Sequence, residues 1–139
     1  MTPRNPLPSA ATRLHPKRGS HDCAVAAIAS LIRRDYEEVL MAAARVAPQF
    51  WSEGLTAAQH VSICRRLGVK TTWLRAFDLE EDRGVLWVEY HDTAAKHSIY
   101  LDAGKVYDSD HNPVTMWDVD DYLRHACGFP VMLLTVKGE

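Results

Sequence analysis

The segment Cys23-Ala24-Val25-Ala26-Ala27-Ile28-Ala29-Ser30-Leu31-Ile32 is apolar on every side of a helical projection. A surface helix would show a polar face, and this one shows none. Such a helix has to be enclosed by the rest of its domain. Ser20 or Asp22 can cap it, so that Cys23 begins it. Arg33 and Arg34 suit its negative C-terminal end. A chain of 139 residues is large enough to build one core around such an element.

The remaining pattern divides into helices followed by strands. Asp35-Tyr36-Glu37-Glu38 reads as a capping box opening a second helix to about Val46, stopped by Pro48. Thr56-Ala57-Ala58-Gln59 reads as another, with Gly68 closing the third helix at C′ and Val61, Cys64 and Leu67 on one face. Past Gly68 the period changes. Strands are expected over 69–74, 85–90 and 131–136, with a short polar turn or helix over 78–82. His97–Leu101 and Lys105–Asp108 form an expected hairpin about Ala103-Gly104. Residues 117–125 read as a helix capped by Thr115. Trp73, Trp87 and Tyr90 suit sheet packing, and Phe50-Trp51 sits between helices as core or loop anchor, with the lining of a substrate groove as the alternative. The fold class is therefore α+β with a mainly antiparallel sheet.

Composition narrows the function. Hydrophobic residues make up 47% and charged residues 24%, with a net charge of −2. That balance offers no basic surface for nucleic acid. No run of apolar residues is long enough for a membrane span, and no secretory signal is visible, so a cytoplasmic setting is expected. The prolines at 3, 6 and 8 suggest an extended arm over residues 1–19, able to dock on a protein partner, ahead of one domain over 20–139. Seven histidines are present, yet none falls in a metal-ligand spacing, so no metal and no cofactor is expected. The Asp108, Asp110, His111 cluster reads as a solvated turn.

Three cysteines cannot all pair within one chain. Cys23 stands at a helix N-terminus, where the dipole favours the thiolate. Cys64 and Cys127 lie further along helices and read as inert core thiols. A nucleophilic thiol needs a base, and the base an orienting group. In a hairpin turning at Ala103-Gly104, Leu101 opposes Val106, Ile99 opposes Asp108 and His97 opposes Asp110. His97, Asp108 and Asp110 would then share a face, with either carboxylate able to orient the imidazole.

These residues resemble a known family. Ser20-His21-Asp22-Cys23-Ala24-Val25-Ala26-Ala27-Ile28-Ala29 resembles the Asp-Cys-Gly-x-Ala-x-Leu-Ala signature of the bacteriocin-processing (double-glycine leader) peptidases, within the papain-like cysteine peptidase superfamily. Asp35-Tyr36-Glu37-Glu38-Val39, Gly54-Leu55-Thr56 with Leu67-Gly68-Val69, and His97-Ser98-Ile99-Tyr100-Leu101 with Lys105-Val106-Tyr107-Asp108 follow the family's order over roughly residues 15–136.

The resemblance implies a papain-like fold and a triad of Cys23 as nucleophile, His97 as general base and later acid, and Asp108 as orienting group, with Asp110 in reserve. It implies an acyl-thioester formed with a peptide, isopeptide or cell-wall amide and then hydrolysed. It also implies an oxyanion held by the nucleophile's backbone N–H and a Gln six residues upstream. Lys17 stands at that upstream position, Ala24 replaces the Gly after the nucleophile, and Ser109 follows Asp108 where proline is common. Lys17 would supply a cation in place of an amide dipole, and His21 or Ser20, beside Asp22, could act as donors instead. With no transporter domain in the sequence, a small stand-alone bacterial or phage protein is expected. The alternative is a catalytically inactive papain-like domain serving as a phage virion, assembly or binding component.

Overall fold

The computed structural model describes residues 23–91, 96–108 and 115–138. The expected arm over 1–19, including Lys17, and residues Ser20, His21, Asp22, Ser109, Asp110 and His111 lie outside them.

The apolar segment forms helix α1 (Cys23–Ile32), with Ala24 to Leu31 all buried. Its one polar side chain, Ser30, is satisfied within the helix by donating to the Ala26 carbonyl at 3.1 Å. Helix α2 (Tyr36–Val46) follows Asp35, whose side chain makes no cap hydrogen bond, so the expected box is not formed there. After a short helix α3 (Phe50–Glu53), helix α4 (Ala57–Arg66) begins with both halves of its capping box. The Thr56 hydroxyl accepts from Gln59 N at 3.1 Å, and Gln59 Oε1 accepts from Thr56 N at 2.9 Å. Its buried stripe is His60, Ile63 and Cys64; Val61 and Leu67 are only half-buried. Phe50 is buried and its neighbour Trp51 is exposed.

The strands are β1 (Thr71–Leu74), β2 (Arg83–Tyr90), β3 (Lys96–Asp102), β4 (Lys105–Asp108), β5 (Thr115–Asp118) and β6 (Gly128–Val136). They form one six-stranded sheet in the order β1-β6-β2-β3-β4-β5, every pairing antiparallel. Helix α5 (Val119–Ala126) lies between β5 and β6 in the chain. The α+β class is thus observed. Several boundaries differ from expectation: β1 begins later, at Thr71, and β2 and β6 begin earlier, at Arg83 and Gly128, while Trp117 belongs to strand β5 and the helix starts at Val119 after Asp118 rather than at Trp117 with Thr115 as its cap. Lys105 to Asp108 need a partner on their outer side, and β5 supplies it through Lys105–Asp118 to Asp108–Thr115.

Strand alternation sorts the sheet into two faces. One carries Val85, Tyr100, Tyr107 and Leu134 and packs under α1 to α4. The other carries Leu86, Val88, Ile99, Leu101, Val106 and Leu133 and packs against Val119 and Tyr122 of α5. The β3–β4 turn has positive φ at both Ala103 (46°) and Gly104 (87°), the type I′ geometry that matches strand twist. It sets the pairs Asp102–Lys105 and Leu101–Val106 as expected. Pro130 interrupts β6 where that strand faces β2 alone, beyond the end of β1, so its missing N–H leaves no ladder bond unmade on the outer side. No helix among the described residues is long and apolar enough to cross a membrane.

Arg83 fixes α1 along the sheet. Its Nη2 donates to the Leu31 carbonyl near the helix C-terminus, and its Nε donates to Tyr100 Oη at 2.8 Å. Because Arg83 pairs with Asp102, the C-terminal end of α1 lies at the Asp102 end of β3. Beside it, Gly84 is buried where an added Cβ would overlap the Leu134 carbonyl oxygen and press on the Leu133 side chain. Gly84→Ala is expected to lower stability by about 1–3 kcal/mol through this overpacking, read as a shift of the urea unfolding midpoint at unchanged slope.

Candidate functional site

Leu31 back to Cys23 spans about 12 Å along the helix axis. Tyr100 back to His97 spans about 10 Å along the strand. With α1 lying over β3, Cys23 therefore sits at the His97 end of that strand. Cys23 is half-buried.

His97 and Asp108 are buried polar residues, 9% and 8% exposed. Each has the parity of the α5-side face, His97 with Ile99 and Leu101, and Asp108 with Val106. The His97 ring stacks on Tyr90 of the same face, with centroids 6.5 Å apart and planes 28° from parallel. Continuing the register of Leu101–Val106 puts Asp108 diagonal to His97, within reach of side-chain interaction.

Cys23 belongs to a helix laid on the opposite face of the sheet from this pair. Helix α1 covers the face that carries Ser98 and Tyr100, while His97 turns to the other. Among the described residues the β3–β4 ladder covers Asp102–Lys105 to Tyr100–Tyr107, and β2 pairs with β3 along Lys96 to Asp102. Lys17, His21, Asp22 and Asp110 lie outside the described residues, as noted above.

The other two thiols separate clearly. Cys64 is buried, and desolvation pushes its pKa up to about 11. It is the inert core thiol the sequence suggests. Cys127 is not: it caps α5 in the left-handed region at φ 55° and is exposed. The helix ends before it, so the alanine-rich surroundings of the sequence do not enclose it.

A histidine outside the expected set is the most enclosed imidazole of this region. His60 is 0% exposed. Its Nδ1 lies 2.7 Å from the Thr56 carbonyl and its Nε2 lies 2.9 Å from Ser98 Oγ, on the residue after His97. Trp73 and Trp87 close over the ring at centroid distances of 5.4 and 5.7 Å. Burial lowers the His60 pKa to about 4, against a raising effect of the Thr56 carbonyl. The spacing of His60 with Ile63, Cys64 and Leu67 is the signal that it faces the core. Its partner Ser98 comes from a distant strand and has no local signature. Among the described residues no group of three metal-ligating side chains comes together. No protein-family model matches the chain, and a search of curated proteins finds no match.

Two outcomes follow for solution experiments. His60 is held neutral in the fold, whereas the unfolded chain takes up its proton near pH 6.5. Its contribution is therefore complete above about pH 6.5 and declines as pH falls towards about 4, by up to roughly 3 kcal/mol. Urea titrations across that range should show the decline in the parent chain and a smaller one in His60→Leu. With a thiol reagent on the native chain, Cys127 should react at once and Cys64 only after denaturation, resolved by peptide mass spectrometry.

Proposed function

We propose that this chain is a small papain-like cysteine peptidase, or a related thiol amidohydrolase, with Cys23 as nucleophile, His97 as base and acid, and Asp108 as orienting group. The observation that supports this most is the joint burial of His97 and Asp108 on one face of the β3–β4 hairpin, level with the N-terminus of α1. Burying an imidazole and a carboxylate costs free energy, and such pairs concentrate at functional sites. The layout of a nucleophile-bearing helix laid on an antiparallel sheet with a His strand and an Asp strand suits the papain-like reading.

In that reading His97 takes the proton from the Cys23 thiol, helped by the positive end of the α1 dipole. Sγ attacks the carbonyl carbon of a peptide, isopeptide or cell-wall amide. The resulting oxyanion is stabilised by the Cys23 backbone N–H at the helix end. The C–N bond breaks, the leaving amine takes the proton from His97, and an acyl-thioester remains on Cys23. Water, deprotonated by His97, then releases the acid. Asp108 holds the imidazole tautomer and stabilises the imidazolium. By the family resemblance Lys17 stands in sequence where the amide donor would be, and it would serve the oxyanion as a cation. Such a protein would act in the cytoplasm of a bacterium or phage-infected host, on a peptide or protein substrate.

One observation favours a second reading, an inactive papain-like module acting as a binding or assembly component. Helix α1 covers the face opposite the one His97 occupies. Thiol labelling separates the two, because Cys127 provides an exposed reference thiol in the same chain. An active site predicts that a chloroacetamide or epoxide electrophile modifies Cys23 faster than Cys127 at neutral pH. His97→Ala should remove the preference, and Asp108→Asn should reduce Cys23 reactivity by about 10²-fold or more. Equal labelling of Cys23 and Cys127 in the parent chain would assign the inactive module.

A further inference from the structure

The hydrogen bond between His60 and Ser98 runs in one direction only. The Thr56 carbonyl can only accept, so Nδ1 of His60 carries the proton. Nε2 is then an acceptor, and the Ser98 hydroxyl must donate to it. Burial between Trp73 and Trp87 keeps this neutral tautomer through the pH range in which thiols react. The pair thus ties helix α4 to strand β3 at a single, defined point.

At this point of β3, Ser98 pairs with Trp87 and His97 with Val88 of β2. Ser98 projects to the helical face and His97 to the other, because neighbouring strand residues alternate. A tether on Ser98 therefore fixes the backbone from which His97 projects, without touching the imidazole. Asp108 and Tyr90 set the environment of the ring; the tether sets where its Cα and Cβ lie.

We infer that His60 and Ser98 are positioning residues for His97: their buried hydrogen bond holds the start of β3 so that the imidazole meets Asp108. The inference rests on the reading of His97 as the base. It assigns a role to two residues that would never contact substrate.

The test compares Ser98→Ala and Ser98→Thr in the full chain by two readouts. One is the titration midpoint of the His97 ring followed by nitrogen-detected NMR. The other is the pH profile of Cys23 alkylation by iodoacetamide, with Cys127 as internal reference. Ser98→Ala should move the His97 midpoint and slow Cys23 by about 10–10²-fold relative to Cys127, and Ser98→Thr, which keeps the hydroxyl, should restore both. If Ser98→Ala fails to fold, His60→Leu combined with Ser98→Ala leaves no unpaired buried nitrogen and takes its place. An unmoved His97 midpoint overturns the inference, as does a Ser98→Thr chain that behaves like Ser98→Ala. If Cys23 in the parent chain reacts no faster than Cys127, the proposed triad falls, and the His97 midpoint alone decides on the tether.

Discussion

The structure depends on the burial of one helix with no polar face. Every residue of α1 from Ala24 to Leu31 is buried, so both a sheet and a helical layer must close on it. The sheet provides Val85, Tyr100, Tyr107 and Leu134, and α2 to α4 provide the cover. Burial alone is non-directional and would not decide where along the sheet the helix stops. Arg83 decides it, by holding the Leu31 carbonyl and Tyr100 Oη together. The same guanidinium lies 5.8 Å from the Tyr100 ring centroid, so the clamp is also packed. One clamp at the helix C-terminus thereby determines the height of Cys23 at the other end.

This arrangement divides labour between the two sheet faces. The helical face is a largely apolar core that encloses the hydrogen-bonded pair His60 and Ser98. The other face carries the stacked Tyr90 and His97 rings and Asp108 above an aliphatic layer of Ile99, Leu101 and Val106. A shift of β3 by one residue would exchange the two sets, turning His97 into the helical core and Ser98 out of it. The type I′ turn at Ala103-Gly104 and the Ser98 tether act against that shift from opposite ends of the strand. Register and chemistry are therefore specified by the same contacts.

Much of this is legible in local pattern. The all-apolar run of α1, the Thr56–Gln59 box and the Ala103-Gly104 turn each have a short-range physical cause, and each is found where the residues place it. The shared face of His97 and Asp108 follows from that turn alone. What is not legible depends on distant chain. Trp117 has helix-compatible neighbours, yet the open edge of β4 recruits it into a strand. Asp35 has the sequence of a cap and does not use it. Cys127 has the composition of a core residue and is exposed, because the helix ends one position earlier in a left-handed turn. His60 and Ser98 are far apart in sequence, so their pairing is visible only once α4 lies against β3.

The strand order has a consequence for how the chain must fold. β1 and β2 are consecutive strands, yet they do not pair; β6, later in the chain than every other strand, is inserted between them. The hairpin that carries His97 and Asp108 can form from near neighbours, and so can the helical layer. Joining β1 to the rest of the sheet cannot, because it waits for a segment from the opposite end of the described chain. Pairing at that sequence separation costs loop-closure entropy before it returns any contact, and it slows folding. Until β6 arrives, Leu134 is missing from the floor beneath α1, and the most apolar helix of the protein has no closed sheet to lie on. The order of strands thus makes the final β-strand the latch of the core, and makes the half-folded chain the state most in need of protection from aggregation.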